Sequence, residues 1–408
     1  MRTLTTYPLV TKLWFSRLFQ AFGTGMGTFS LQWVASSLPN PAIALAYANT
    51  MGRTGQVFSR YLAGWLSDTV PPVWLMSLSN ALGALFTVGM GLALARFPGL
   101  PLLLALVFVW NALTIAAQAA SASLTPRLVA ADHWPQVNAW MGSIGPAQQF
   151  LASGLAGVLI AAGVFHAFLA AGIAFALASL LLIGRGWPEA AAPRRRPGSL
   201  SQGIRIALQD PTLRVMVVFT SLMNFGFSFY LGEYVLFLRA RDHLSAGQIG
   251  LALGLGTLGL MTALVVTPRM IRRRPAWLPL WGALAIAAGI ATVTLWTHLP
   301  GLIVGDMTMN FGTSVSSQIV ALTRQRLVPM SVMGSVSGAL SMFHTLLVPL
   351  GMALAGLLAE EAGAGADLWT AAALVGLSLV VALPFAKAIQ AGPTPAGTAH
   401  HGFPDRLS

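Results

Sequence analysis

The sequence predicts an all-α integral membrane protein: twelve transmembrane helices in two six-helix, pseudo-symmetric halves. Three observations predict it. The 408 residues are 56% hydrophobic and 8% charged, with a mean hydropathy of +0.73, against a charged share of roughly 25% in soluble domains. Apolar runs of about 20 residues, the length that crosses ~30 Å of hydrocarbon, recur along the whole chain. The later runs also repeat features of the earlier ones at a nearly constant spacing.

The runs fall at 11–37, 42–66, 73–95, 100–123, 138–161 and 164–185, then at 214–238, 247–267, 277–297, 301–322, 333–358 and 367–390. Arg17, Gln20 and Gln32 interrupt the first, and no small-residue cleavage site follows a short apolar core, so a retained span is expected rather than a signal peptide. Span two closes in LAGWLSDTVPPVW, Leu62 to Trp74, where Asp68 precedes Pro71-Pro72. Gly142, Gly145, Gly154 and Gly157 in span five, and Gly250, Gly254, Gly256 and Gly259 in span eight, have the small-residue spacing of close helix contacts and mark where the halves meet. The one long connection, Gly184 to Arg214, is rich in Pro, Arg and Ala, and its SLSQGIRIALQ segment suits a short helix at the membrane surface. The expected organisation is a bundle over 1–185, a cytoplasmic linker over 186–213, a second bundle over 214–392 and a cytoplasmic tail over 393–408.

The repeat is carried by short matches. Leu124 to Ala139 aligns with Thr323 to Gly338, pairing Arg127 with Arg326 and Val137 with Val336, 199 positions apart. LAGVL (Leu155 to Leu159) meets LAGLL (Leu354 to Leu358) at the same 199, and PVWL (Pro72 to Leu75) meets PAWL (Pro275 to Leu278) at 203. Duplication of a six-span unit in one orientation is the parallel repeat of a transporter with two rocking halves.

The formal charge of +12 would suggest nucleic acid in a soluble protein. Here its placement gives topology instead. With the N-terminus inside, Lys12, Arg127, Arg194, Arg205, Arg272, Arg326 and most other cations fall at cytoplasmic ends or loops, and only Arg96, Arg239 and Arg241 fall outside. That asymmetry predicts a multi-pass protein of the cell (inner) membrane with both termini cytoplasmic. The absence of cysteine excludes disulfides and thiolate metal sites.

Several motifs make the chain resemble the major facilitator superfamily over essentially its whole length. GWLSD, with Gly64 and Asp68, closes span two where that family carries a glycine, three residues and an aspartate; the basic tail that usually follows is replaced by TVPP. SLTPRLVAADHWPQVNAW after span four, Gly145-Pro146 in span five, Arg326 to Pro329 and Pro349 to Gly351 are similar to the drug-exporter branch, especially macrolide-efflux and enterobactin-exporter-like members. The resemblance implies that spans one, four, seven and ten line a central cavity, and that the protein acts as a monomer.

Polar residues inside those four spans agree with a water-accessible path, since a polar group in hydrocarbon is costly unless it faces a cavity or partner. The candidates for a substrate cavity are Arg17, Gln20, Gln32, Arg53, Asn111, Gln118, Asn224, Phe225, Phe229, Tyr230, Asn310 and Gln318. Phe225, Phe229 and Tyr230 share a helical turn and suit a wall for a lipophilic substrate; a packing stripe is the plainer reading. Arg53, deep in span two, suits either an anionic ligand or a structural pairing. Of eleven acids, only Glu233 and Asp306 lie inside spans, at similar depth in the outer part of the second half. Two carboxyls in a low-dielectric cleft suit proton uptake and release near neutral pH; helix-end acids reaching outside water are the alternative. His344, near mid-membrane, could join a proton relay or simply bond a neighbouring helix. A cytoplasmic gate is expected from Gly64 and Asp68 against Arg324 or Arg326, with a helix cap as the plainer role for Asp68. In the repeat, TPRMIRRRPAW carries cations and no acid, as if the halves divide one charge motif.

These features predict a secondary active transporter working by alternating access: a proton-coupled exporter of a hydrophobic or amphipathic small molecule, drug or siderophore-like, with no cofactor. No GxxxxGK[ST] loop is present for direct use of ATP. An importer, metal-ion transporter or lipid translocator on the same fold is the alternative. A membrane enzyme or receptor is the less favoured alternative, because neither HExxH nor GxSxG occurs.

Overall fold

A computed structural model describes residues 7–128, 137, 141, 144–184, 187, 200–242, 244–273, 275–296, 298–328, 332–363 and 365–391. These residues are almost wholly helical. The first group of helices is α1 (Pro8–Ala35), α2 (Pro41–Thr69), α3 (Pro72–Arg96), α4 (Leu100–Leu128), α5 (Ile144–Ala162) and α6 (Val164–Leu180). After the short α7 (Leu200–Gln209) come α8 (Pro211–Asp242), α9 (Ala246–Arg273), α10 (Leu278–Leu295), α11 (Leu299–Leu327), α12 (Met333–Leu346), α13 (Val348–Ala362) and α14 (Ala366–Ala391). A helix therefore occupies each of the twelve apolar runs. Among the described residues, seven stretches are each long and apolar enough to cross a membrane, and Leu151–Ala162 and Val164–Leu180 are shorter apolar helices.

Sequence sets the helix ends. Proline stands in the first turn of α1, α3, α10, α11 and α13, where its missing N–H has no intrahelical partner to lose. Asp210 caps α8, its Oδ1 accepting the Leu213 amide at 2.8 Å. Pro349 explains why span eleven is two helices: its ring clashes with the carbonyl one turn back and removes a hydrogen bond, so α12 stops and α13 begins after Leu347.

Helices α1 to α6 pack mainly on one another, as do α8 to α14, and α7 lies against α12. Two long contacts join the groups, α5 on α9 and α2 on α13. The first is close because glycines face it: a Cβ on Gly157 would collide with the carbonyl of Ala246, and one on Gly250 with the carbonyl of Ser153. The perimeter is apolar. Leu169, Ile173, Leu177 and Leu180 recur along one face of α6, and Trp74, Leu78, Leu82 and Leu85 along α3, all exposed. Such stripes would be an aggregation hazard in water and match the solvent in a bilayer.

Because the helices alternate in direction, one end of the bundle carries α7 and the turns α2–α3 and α9–α10. It is termed the linker face. The opposite, far face carries the turns α1–α2, α8–α9 and α10–α11.

Candidate functional site

Three polar constellations sit inside this apolar frame. The first is a cavity of about 190 Å³ between α1, α2 and α4, closed on its other side by Leu231 of α8 and Met352 of α13. Thr28, Gln32, Asn49, Arg53, Gln56 and Asn111 supply its polar wall, and Leu31, Val107 and Trp110 part of its apolar wall. Hydrogen bonds order the polar side: Gln56 Nε2 donates to Asn111 Oδ1 at 2.8 Å, Asn111 Nδ2 donates to the Val107 carbonyl at 2.9 Å, and Arg53 Nη1 donates to Gln56 Oε1 at 3.5 Å. The indole N–H of Trp110 is held by Thr87 Oγ1 at 2.9 Å, and the ring stacks edge-on to Phe175 with centroids 6.5 Å apart.

The second constellation is a buried acid. Asp306 of α11 is wholly buried, and each carboxylate oxygen accepts one phenol from α8: Oδ1 from Tyr230 at 2.5 Å and Oδ2 from Tyr234 at 2.5 Å. The two phenol rings lie 4.7 Å apart. Helix α9 presses on the same residue, because Gly256 leaves no room for a Cβ beside the Asp306 side chain. Asn310 Nδ2 donates to the Asp306 carbonyl at 2.9 Å and extends the polar column along α11.

The third is a latch at the far face. Arg239, near the end of α8, donates through Nη1 to Ser36 Oγ at 2.8 Å and Ser37 Oγ at 2.7 Å, and its Cζ sits 4.6 Å from the centroid of the Trp33 ring. One cation thus ties the second helix group to the end of α1. Thr50 Oγ1, donating to the Pro349 carbonyl at 3.2 Å, adds a bond between α2 and α13. Gly145 of α5 and Gly338 of α12 are exposed, and a Cβ on either would meet nothing within 4 Å.

The expected cavity residues divide between these places. Gln32, Arg53 and Asn111 line the cavity together. Arg17 donates to Gln20 Oε1 at 2.7 Å, and Gln20 donates to the Thr114 carbonyl at 3.1 Å, binding α1 to α4. Gln118 is half-buried on α4. Asn224 bonds the Thr220 carbonyl within α8 at 2.8 Å, Phe225 and Phe229 pack edge to face at 5.5 Å, and Tyr230 serves Asp306. Gln318 bridges to the Ala263 carbonyl at 3.3 Å and Ser314 Oγ at 3.2 Å. Asn49, Gln56 and Tyr234 were not anticipated. Asn49, Arg53 and Gln56 recur at helical spacing on one face of α2, a polar stripe legible in the sequence. The Tyr230–Tyr234 pair is also one turn apart, but its acid lies on another helix.

Glu233 stands in the same turn of α8 as those phenols, so its backbone is level with Asp306; its side chain lies outside the described residues, as do those of Gly64, Asp68 and Arg127. Arg326 is exposed and Arg324 half-buried on the last turn of α11. Arg324 Nε and His344 Nε2 are buried atoms without a hydrogen-bond partner among the described residues. Nor do three His, Asp or Glu side chains converge there in a way that could hold a metal ion.

This architecture has solved counterparts. A bacterial homologue of the iron transporter ferroportin in its inward-facing state superposes with a TM-score of 0.73 at 19% identity, covering 93% of this chain and 98% of that one. The same homologue facing outward gives 0.59 over 93% and 99% at 19% identity. A bacterial homologue of the human lysosomal transporter Spinster, inward-facing and unoccupied, gives 0.71 at 16% identity over 95% and 98%. The nucleoside transporter NupG gives 0.68 at 13% identity over 94% and 99%. No curated protein sequence matches the chain. The sequence itself matches the Major Facilitator Superfamily over residues 13–352, and with the helical frame and its solved counterparts this establishes that the chain is a membrane transporter of that superfamily.

Proposed function

We propose that this transporter works by alternating access as a proton-coupled exporter of an amphipathic small molecule, with Asp306 as the proton carrier. The observation that carries this reading is the convergence of functions on α8. One helix presents Tyr230 and Tyr234 to Asp306, Leu231 to the cavity and Arg239 to the far-face latch. A charged carboxylate in a dry helical interior is costly without its donors. Proton uptake removes the charge and the need for both phenols, which frees α8 to shift against α11. Such a shift acts at once on the cavity wall and on the latch.

The latch and the glycine contact of α5 on α9, both toward the far face, support an inward-facing state in which the linker face is the cytoplasmic one. The basic residues Arg205, Arg214, Arg269, Arg272 and Arg273 at that face support the same orientation by the positive-inside rule. Both termini then lie in the cytoplasm and the far face outside the cell membrane. The domain limits follow: 1–185 and 214–392 as rocking bundles, 186–213 as their tether, with the monomer as the working unit. In the alternate state Asp68 would meet Arg324 or the start of α12 and close the cytoplasmic side. Among the described residues the cavity wall offers Arg53 and amides but no carboxylate, which supports a small organic molecule over a metal ion.

Proteoliposomes carrying an imposed proton gradient test the reading. The protein should drive at least one of a panel of amphipathic dyes against its gradient, an uncoupler should abolish that movement, and Asp306→Asn should retain downhill exchange while losing accumulation. Undiminished proton-driven accumulation in both Asp306→Asn and Glu233→Gln would remove the proton assignment.

A further inference from the structure

We infer that the linker face of the second helix group binds an anionic phospholipid of the surrounding leaflet. The headgroup meets Arg269, Arg272 and Arg273 of α9 and Lys387 of α14, and the acyl chains lie along the apolar faces that end in these cations. Exposure follows one helical spacing on both helices. On α9 the exposed residues include Val265, Pro268, Arg269 and Arg272; on α14 they include Val380, Leu383, Pro384 and Lys387. Residues three and four apart share a helix face, so each bilayer-facing stripe runs without a break into a cation. On α10 the corresponding exposed stripe is Trp277, Trp281 and Leu284, and indole rings favour the depth of the headgroups.

Packing brings these helix ends together. Met270 and Ile271 of α9 and Ile389 of α14 pack on one buried cluster that includes Leu278 of α10, and the Pro275–Trp277 turn lies against α14. The cations of two helices and the tryptophans of a third therefore surround a common apolar base. Arg269 donates through Nη1 to the Val265 carbonyl at 2.9 Å, which lays that side chain back along α9 and spends one of the five N–H donors of a guanidinium. A guanidinium fork matches the oxygens of a phosphodiester.

The chain's own acids are too few to answer this charge. Between Asp242 and Glu360 the sequence has six arginines and one acid, Asp306, which is wholly buried against two phenols. Glu360, Glu361 and Asp367 stand at the opposite end of α13 and α14, and Asp210 caps α8. With 23 Lys and Arg against 11 Asp and Glu in the whole chain, an excess of cations persists however the other acids pair. The repeat supplies an internal contrast. Trp74, Leu78, Leu82 and Leu85 form the same tryptophan-headed exposed stripe on α3, yet Leu62 to Trp74 holds Asp68 and no cation. The charged version of the arrangement belongs to the second group. A soluble anion would use only the arginines, whereas a lipid satisfies the cations and the stripes together.

Thermal unfolding of the purified full-length protein in a neutral detergent, with phospholipid added, tests the site. Phosphatidylglycerol should raise the unfolding temperature in a saturable way, phosphatidylcholine with the same chains should do so much less, and inorganic phosphate at equal phosphorus concentration should not. The combined variant Arg269→Gln, Arg272→Gln and Arg273→Gln should lose apparent affinity for phosphatidylglycerol, about fivefold for each cation removed near a charged leaflet. The combined variant Arg194→Gln, Arg195→Gln and Arg196→Gln, equal in charge but in the linker, should stay near the unaltered value. Equal stabilisation by phosphatidylcholine would reduce the stripes to ordinary bilayer contact, and equal stabilisation by inorganic phosphate would make this a free-anion site. Equal losses in the two triple variants would make the preference one of bulk charge. Each of these results would overturn the inference. The lipid comparison on the unaltered protein stands even where a variant does not fold, and none of these measurements depends on cargo or on the proton at Asp306.

Discussion

Asp306 stands wholly buried on α11, and the groups that meet its carboxylate are neutral donors. Asp306 takes two phenols, one per oxygen. Removing one leaves a buried acceptor unmet, at a cost of about 1–3 kcal/mol. Tyr234→Phe is therefore expected to lower the thermal stability of the purified protein and to weaken proton-driven accumulation, whereas Phe229→Leu, outside the triad, should alter stability without changing the proton dependence. Equal effects of the two on coupling would place the phenols in packing alone. The acid was legible because so few acids occur within the spans. Its partners were not, since an aromatic stripe on one helix gives no sign of which helix it meets.

At the scale of elements, α8 and the α5–α9 contact carry the account. Gly250 admits the Ser153 carbonyl of α5, so Gly250→Leu should wedge the bundles apart at the far face, costing about 1–3 kcal/mol by overpacking. Gly145→Leu is the matched control, because open space faces Gly145; it should leave the unfolding temperature unchanged or slightly raised through better helix propensity. Similar losses in both would contradict the assigned contact. Of the small residues expected to mark the meeting of the halves, Gly157 and Gly250 lie at this contact, whereas Gly256 and Gly259 pack on α11 within the second group and Gly145 faces open space. The break in span eleven at Pro349 was legible in principle, since an interior proline interrupts a helix, yet the hydropathy of 333–358 runs through it unbroken. Of the polar face of α2 only Arg53 stood out in the sequence: Asn49 and Gln56, one turn to either side of it, carry no charge, and the stripe lies about three to five turns before Asp68.

For the whole molecule, hydropathy and the repeat offset were sufficient for the frame, because each span must satisfy its backbone internally and so declares itself by length and composition. Which spans cross-pack depends on side-chain fit between distant segments, and the conformational state depends on a balance between two arrangements of one sequence. Neither is written in local pattern. The central claim is that two bundles rock about the α5–α9 and α2–α13 contacts under control of a proton on Asp306. Because the chain has no cysteine, spin labels can be placed singly: one pair at Pro71→Cys and Arg273→Cys on the linker face, another at Phe97→Cys and Trp296→Cys on the far face. Distance distributions in acidic and neutral buffer should shift in opposite senses at the two faces, and Asp306→Asn should abolish that reciprocal shift. Distributions that do not change with pH, or that change equally in Asp306→Asn, would contradict it.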